Sequence, residues 1–331
     1  MLEARRLLPA VALFLPFLAP LPAQVPPPQV LLRNRSLTAR VYLPDPQRGY
    51  YRGTRFDWSG QVFSLRTVRN EYFGQWFDRY DPYLHDAIMG PVEEFRTGGA
   101  ALGYAEAPAG GEFVRIGVGI LRKPAEEPFQ TFRTYEMVDP GRWRVIRGRA
   151  RVQFIHTIRP SNGYAYEYRK TVRLVRQKPQ MVIDHTLINT GSKTIETDQY
   201  NHNFFVIDGL PVTPGIRVIF PFELETVREF QANFVEKRGK MIEFVKEIPE
   251  GASAIGEFRG FSSRASDYDI RVEHEPAGAG VRIRGSLPLT RLVFWCMRRT
   301  FCPEPYVHIA VPPGKRVSWR LTYDFYGLPQ R

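Results

Sequence analysis

The chain has 331 residues, of which 43% are hydrophobic and 13% aromatic, enough apolar surface for one large β domain and too much for extended disorder. Its 46 Lys and Arg outnumber 34 Asp and Glu to give +12, but the bases are scattered singly or in pairs, without the runs that mark nucleic-acid-binding tails. This excludes nucleic acid as the expected partner and leaves a solvated basic surface, with an anionic sugar or envelope polymer still open.

Residues 1–23 read as a secretory signal peptide: Arg5 and Arg6 precede an apolar run from Leu7 to Leu18, and small residues from Ala19 to Ala23 set the expected cleavage after Ala23. Pro9 and Pro16 interrupt the run, which is short for a membrane span, so the expected location is secreted or periplasmic. Residues 24–49 read as a tether, beginning "VPPPQ", and a first strand; residues 50–331 read as one sandwich domain.

"YRGTRFDWSG" then crowds Arg52, Arg55, Asp57 and Trp58 before a strand over 61–68. "DPYLHDAIMGPVEEF" puts His85 in a loop bounded by proline and glycine, followed by Glu93 and Glu94, and "PVEEFRTGG" allows a helical turn or two. Period-two alternation marks strands over 151–159, 164–174, 181–189, 215–225, 269–275, 280–285, 291–297 and 317–325. Within "YAYEYRKTVRL", Tyr164, Tyr166, Tyr168, Val172 and Leu174 share one face while Glu167, Arg169, Thr171 and Arg173 share the other. With no long helix in the pattern, the fold class is all-β, antiparallel sheets packed face to face.

"QYNHNFF" is the most unusual strand. Alternation places Tyr200, His202 and Phe204 on one face and Asn201, Asn203 and Phe205 on the other, and buried amides demand partners or a polar ligand. Aromatic walls beside a polar donor suit a sugar, whose C–H faces stack on rings while its hydroxyls need directional bonds. Glu304 sits between Pro303 and Pro305 at the mouth of the penultimate strand. His156, His185 and His274 read as core or sheet-edge residues, whereas His308 is a candidate for a cleft wall. Cys296 and Cys302 are too few for a zinc site, and their pairing as a disulfide stays open.

The early arginine in "RGTRFDWSG", the histidine in "HDAIMG", the "NHNFF" strand and a C-terminal glutamate before "PPGKRVSWRLTYDFY" together resemble the galactose mutarotase (aldose 1-epimerase-like) superfamily in its divergent exported form, over residues 50–326. The resemblance implies a β-supersandwich with a concave carbohydrate-binding face, and it needs no metal or organic cofactor. It also implies roles: Glu304 as base, His202 as acid, His85 on the ring-oxygen side and Arg55 on sugar hydroxyls. Asn201, Asn203, Trp58, Glu94 and His308 complete the expected substrate contacts. Glu93 and Glu94 stand as alternative bases, and Asp267 and Asp269 are the nearest matches to a sugar-binding aspartate. The sequence departs from the family pattern at Asp86 and Ala87, where paired glycines are usual, and at Asn203 to Val206. The implied partner is a mono- or oligosaccharide, neutral or anionic. The competing readings are a non-catalytic carbohydrate-binding module and an accessory domain of polysaccharide processing.

Overall fold

A computed structural model describes residues 25–329, so the signal-peptide reading of residues 1–23 lies outside the described residues. Strands β1 (Gln29–Arg33), β2 (Thr38–Tyr42) and β3 (Gln61–Arg66) form a small sheet, followed by β4 (Gly90–Arg96). A second small sheet holds β5 (Glu112–Arg115), β6 (Gly119–Arg122) and β7 (Glu136–Asp139). The chain continues through β8 (Arg142–Arg147), β9 (Arg151–Thr157), β10 (Tyr166–Leu174), β11 (Gln180–Asn189) and β12 (Ile195–Phe204). Shorter strands follow: β13 (Ile216–Ile219), β14 (Glu225–Arg228), β15 (Val235–Arg238), β16 (Met241–Phe244) and β17 (Ser253–Arg259). The last five are β18 (Asp269–His274), β19 (Ala279–Gly285), β20 (Arg291–Met297), β21 (Thr300–Val311) and β22 (Arg316–Gly327).

Two large antiparallel sheets dominate. One has ten strands in the order β15-β16-β13-β18-β19-β22-β11-β10-β9-β8, the other six in the order β14-β17-β20-β21-β12-β4. Inward-facing residues of the first, such as Tyr168, Ile183, Leu321 and Tyr323, meet Phe205, Leu292, Phe294 and Val307 of the second in one buried core. The opposite face of the six-stranded sheet is covered in part by loops and the β5–β7 sheet, which build a second core around Phe56, Trp58, Trp76 and Phe113. The all-β expectation holds, and the described residues contain two short 3-10 turns and no α-helix.

Three local expectations are corrected and one open question is answered. The stretch 24–49 carries two strands, and Leu32, Ala39 and Val41 anchor them in the main core. "PVEEFRTGG" yields no helical turn but strand β4, because Glu93 and Glu94 find tertiary partners on opposite faces of the sheet. The expected strand over 215–225 breaks into β13 and β14. Cys296 and Cys302 are free: β20 and β21 pair Cys296 with Phe301 and Trp295 with Cys302, so the two sulfurs point to opposite faces.

Candidate active site

The site grows from an interruption in one ladder. Strands β12 and β21 pair from Ile195 with Val311 as far as Tyr200 with Tyr306, then lapse until an isolated bridge between Phe205 and Phe301. On its other side β21 keeps an unbroken ladder with β20 from Tyr306 to Thr300. Pro303 and Pro305 supply no N–H, and interior strands tolerate proline only where a ladder bond is forgone. Glu304 therefore lies well inside β21 rather than at its mouth. The gap is stitched by Asn203, whose Nδ2 donates to the Pro303 carbonyl at 2.8 Å while its Oδ1 accepts from the Tyr323 hydroxyl at 2.8 Å.

Across that gap His202 Nε2 stands 3.2 Å from Glu304 Oε1, with both side chains nearly buried. The imidazole stacks on Phe204 at 3.8 Å between ring centres and meets the edges of Phe56 and Trp295. Burial, with Arg55 nearby, holds the His202 pKa well below the ordinary imidazole value. Its Nδ1 is buried without a hydrogen-bond partner. Burial pushes the Glu304 carboxyl up to about 8, against the opposing pull of Arg55. Both shifts favour a protonated carboxyl beside a neutral imidazole.

Arg55 donates from Nε to Glu94 Oε2 at 2.8 Å and from a terminal nitrogen to the Tyr200 hydroxyl at 3.1 Å. Tyr200 in turn donates to Glu94. Burial alone would raise the Glu94 pKa, but Arg55, Arg115 and Arg96 outweigh it and hold the carboxylate at about 2. His85 lies at the cleft mouth, its Nε2 3.3 Å from Asp86 Oδ2 and its ring centre 4.9 Å from that of Phe132. The cleft encloses about 400 Å³, which lies within the size range of sugar-sized ligand sites. Its remaining walls carry the rings of Trp76, Trp295 and Tyr306 and the guanidiniums of Arg96 and Arg291.

Of the residues singled out from the sequence, His202, Glu304, His85 and Arg55 line this one cleft, with Glu94 directly behind Arg55. Asn201 and Asn203 do not. The alternation that aims His202 at the cleft aims both amides at the space between the sheets, where Asn201 donates to Glu93 at 3.1 Å and accepts from Gln199 at 2.7 Å. Trp58 is buried with its Nε1 donating to the Gly53 carbonyl at 2.8 Å. His308 lies further along β21, half exposed, 3.0 Å from Asp198 in a separate groove. Asp267 accepts from Ser262, and Asp269 pairs with Arg282; neither belongs to the cleft. Glu93 faces the interior and accepts from Lys170. Sequence reasoning passed over Trp76, Arg96, Phe132, Arg291, Trp295 and Tyr306. For Arg291, Trp295 and Tyr306 the signal was available, since they alternate on the same face as Glu304 once β20 and β21 are paired.

No family model matches the sequence, and no curated relative does. Solved structures do match in shape. A galactose mutarotase-like protein from Clostridium acetobutylicum is 12% identical, with a TM-score of 0.55 over 91% of this chain and 95% of the other. A galactose mutarotase related enzyme from Lactobacillus acidophilus is 10% identical, with a TM-score of 0.55 over 92% and 99% of the two chains. The GalM/aldose epimerase homologue from C. elegans is 12% identical, with a TM-score of 0.53 over 91% and 99%. The chain has the galactose mutarotase-like β-sandwich fold.

Proposed function

We propose that this is an exported aldose 1-epimerase-like enzyme that interconverts the α and β anomers of a carbohydrate in the His202–Glu304 cleft. The observation that carries the reading is the 3.2 Å separation of His202 Nε2 and Glu304 Oε1. The reaction must take a proton from the anomeric hydroxyl and give one to the ring oxygen. Both oxygens are bonded to the same carbon, so the base and the acid must stand side by side, as these two atoms do.

The proton inventory also fits. The free pair holds its proton on Glu304; passing that proton to His202 gives the ionised glutamate and protonated imidazole the reaction uses, after which Glu304 takes the anomeric proton and His202 protonates the ring oxygen. The ring opens, the C1–C2 bond rotates, and reversal of both transfers closes the ring on the other face. After opening, the pair holds a neutral acid and a neutral imidazole, the same single shared proton that burial favours in the free protein. Positioned proton transfer contributes about 10²–10⁴-fold. Arg55, fixed by Glu94 and Tyr200, lies where it can bind hydroxyls, and the Trp76–Trp295 wall offers ring faces for stacking. Glu93 is turned away and Glu94 is saturated by guanidiniums, which favours Glu304 as the base.

The test is anomer exchange of freshly dissolved aldoses, followed by polarimetry or exchange NMR. The wild type should accelerate it, and His202→Ala should lower the rate by about 10²-fold or more. Sugar binding without acceleration by the wild type would reduce the protein to a carbohydrate-binding module.

A further inference from the structure

The register across the six-stranded sheet sorts the cleft into rows. Phe204, Cys302 and Trp295 share one row; His202, Glu304 and Val293 share the next; Glu94, Tyr200, Tyr306 and Arg291 share the third. Arg96 follows one step beyond Glu94 on the same face of β4. The acid–base pair therefore stands between an aromatic wall and a row carrying guanidiniums.

That row holds more positive charge than its carboxylates answer. Arg55, Arg115 and Arg96 converge on Glu94, at 2.8, 3.1 and 3.9 Å, and Glu304 and Asp86 are the other carboxylates of the cleft. Arg96 Nε is buried with no acceptor, whereas Arg115, 1% exposed and behind the cleft, donates to the Arg55 carbonyl as well as to Glu94. The other recorded bonds of Arg96 go to neutral acceptors, the Gly99 carbonyl and the Thr131 hydroxyl. Arg291 leans over the Tyr306 ring and is tied to Glu257 at 2.5 Å, with half its side chain still exposed. A buried guanidinium excess is costly unless an anion meets it.

We propose that the sugar taken by this cleft is acidic, with a carboxylate or phosphate on the exocyclic carbon remote from the anomeric centre, and that Arg96 and Arg291 receive it beside Tyr306. The placement rests on the epimerase reading, which puts the anomeric carbon at His202 and Glu304. With the aromatic wall closing one side of that pair, the ring extends to the other side, over Tyr306, and its far substituent reaches the guanidinium row. Arginine suits the task because its planar fork matches both carboxylate and phosphate oxygens.

The experiment compares glucose, glucuronate and glucose 6-phosphate, with their galacto counterparts, by exchange NMR for rate and calorimetry for affinity. One acidic class should exceed its neutral parent in kcat/KM by about tenfold or more, and which class does so tells carboxylate from phosphate. Arg291→Gln and Arg96→Gln should each lower that preference by about tenfold, mainly through KM, and raised salt should erode it. Neutral sugars exchanged as fast as both acidic classes would overturn the inference while the epimerase reading stands. Selective binding of an acidic sugar with no exchange would do the reverse. If neither class is bound or exchanged, both fall.

Discussion

Glu93 and Glu94 are neighbours on one strand and live in different worlds. Glu93 faces the layer between the sheets, where it accepts from Lys170 and Asn201, with the Asp57 carboxylate 3.5 Å from Lys170 Nζ. Every one of these side chains is buried. Glu94 faces the cleft and is clamped by guanidiniums behind the His202–Glu304 pair. Burial and the like charge of Asp57 push Glu93 up to about 7, despite Lys170, while the arginines hold Glu94 at about 2. The interior cluster is closed: Gly60 and Gly117, both at positive φ, let the backbone approach so tightly that an added Cβ would come within 2.8 Å of Lys170 Cε and 2.5 Å of Asp57 Oδ1. The cleft is open and leaves polar atoms of His202 and Arg96 without protein partners. Each arrangement leaves a buried nitrogen without a hydrogen-bond partner, His185 Nε2 in the first and Arg96 Nε in the second, but only the second borders an open cleft.

The sharpest break in this contrast is Lys170→Met. It strands two carboxylates between the sheets and should cost about 3–5 kcal/mol in urea unfolding, as removal of one partner from a buried ion pair does. Glu93→Gln, which leaves the lysine facing Asp57 alone, should lose a smaller part of that. A loss below about 1 kcal/mol for Lys170→Met would mean that the interior charges are dispensable.

Much of this was legible in the sequence because the side-chain period of a strand is two. Alternation alone put His202 with Tyr200 and Phe204 and turned Asn201 and Asn203 away, and the amides' partners prove to be Glu93, Gln199, Tyr323 and the Pro303 carbonyl. What alternation could not show is which strand faces which. Lys170 stands on the apolar face of β10 with Tyr168 and Val172, and its meaning depends on Asp57 from a loop and Glu93 from the other sheet. The guanidinium row is assembled from Arg55, Arg96, Arg115 and Arg291, on separate segments. Proline on both sides of Glu304 argued for a strand end, since interior ladders need N–H groups; here the ladder itself gives way.

On the cleft side the expected sign reverses. The Glu304 pKa rises from 4.5 to about 8 on folding, so the native state binds its proton more tightly than the unfolded chain does. Stability from this group is lost as pH rises from about 4.5 through about 8. Glu304→Gln should therefore be nearly neutral at pH ~5 and stabilising by about 1–2 kcal/mol at pH ~9, while abolishing exchange. Measuring wild type and variant together cancels the parallel slope from Glu93. A variant equally or less stable than the wild type at the higher pH would place Glu304 among the structural charges.

On the proposed function, the same titration would set the pH profile of exchange. While one proton remains on the pair, an acid and a base are both available. As pH climbs past about 8 Glu304 loses that proton, and burial prevents His202 from holding one in its place. No donor is then left for the ring oxygen, and enzymatic exchange, corrected for the hydroxide-catalysed background, should fall about tenfold per pH unit. Arg55 and Arg291 keep their charge throughout, so sugar affinity should change far less than rate over the same interval. A profile that rises through pH ~9 would show that the proton for the ring oxygen comes from a group other than this pair.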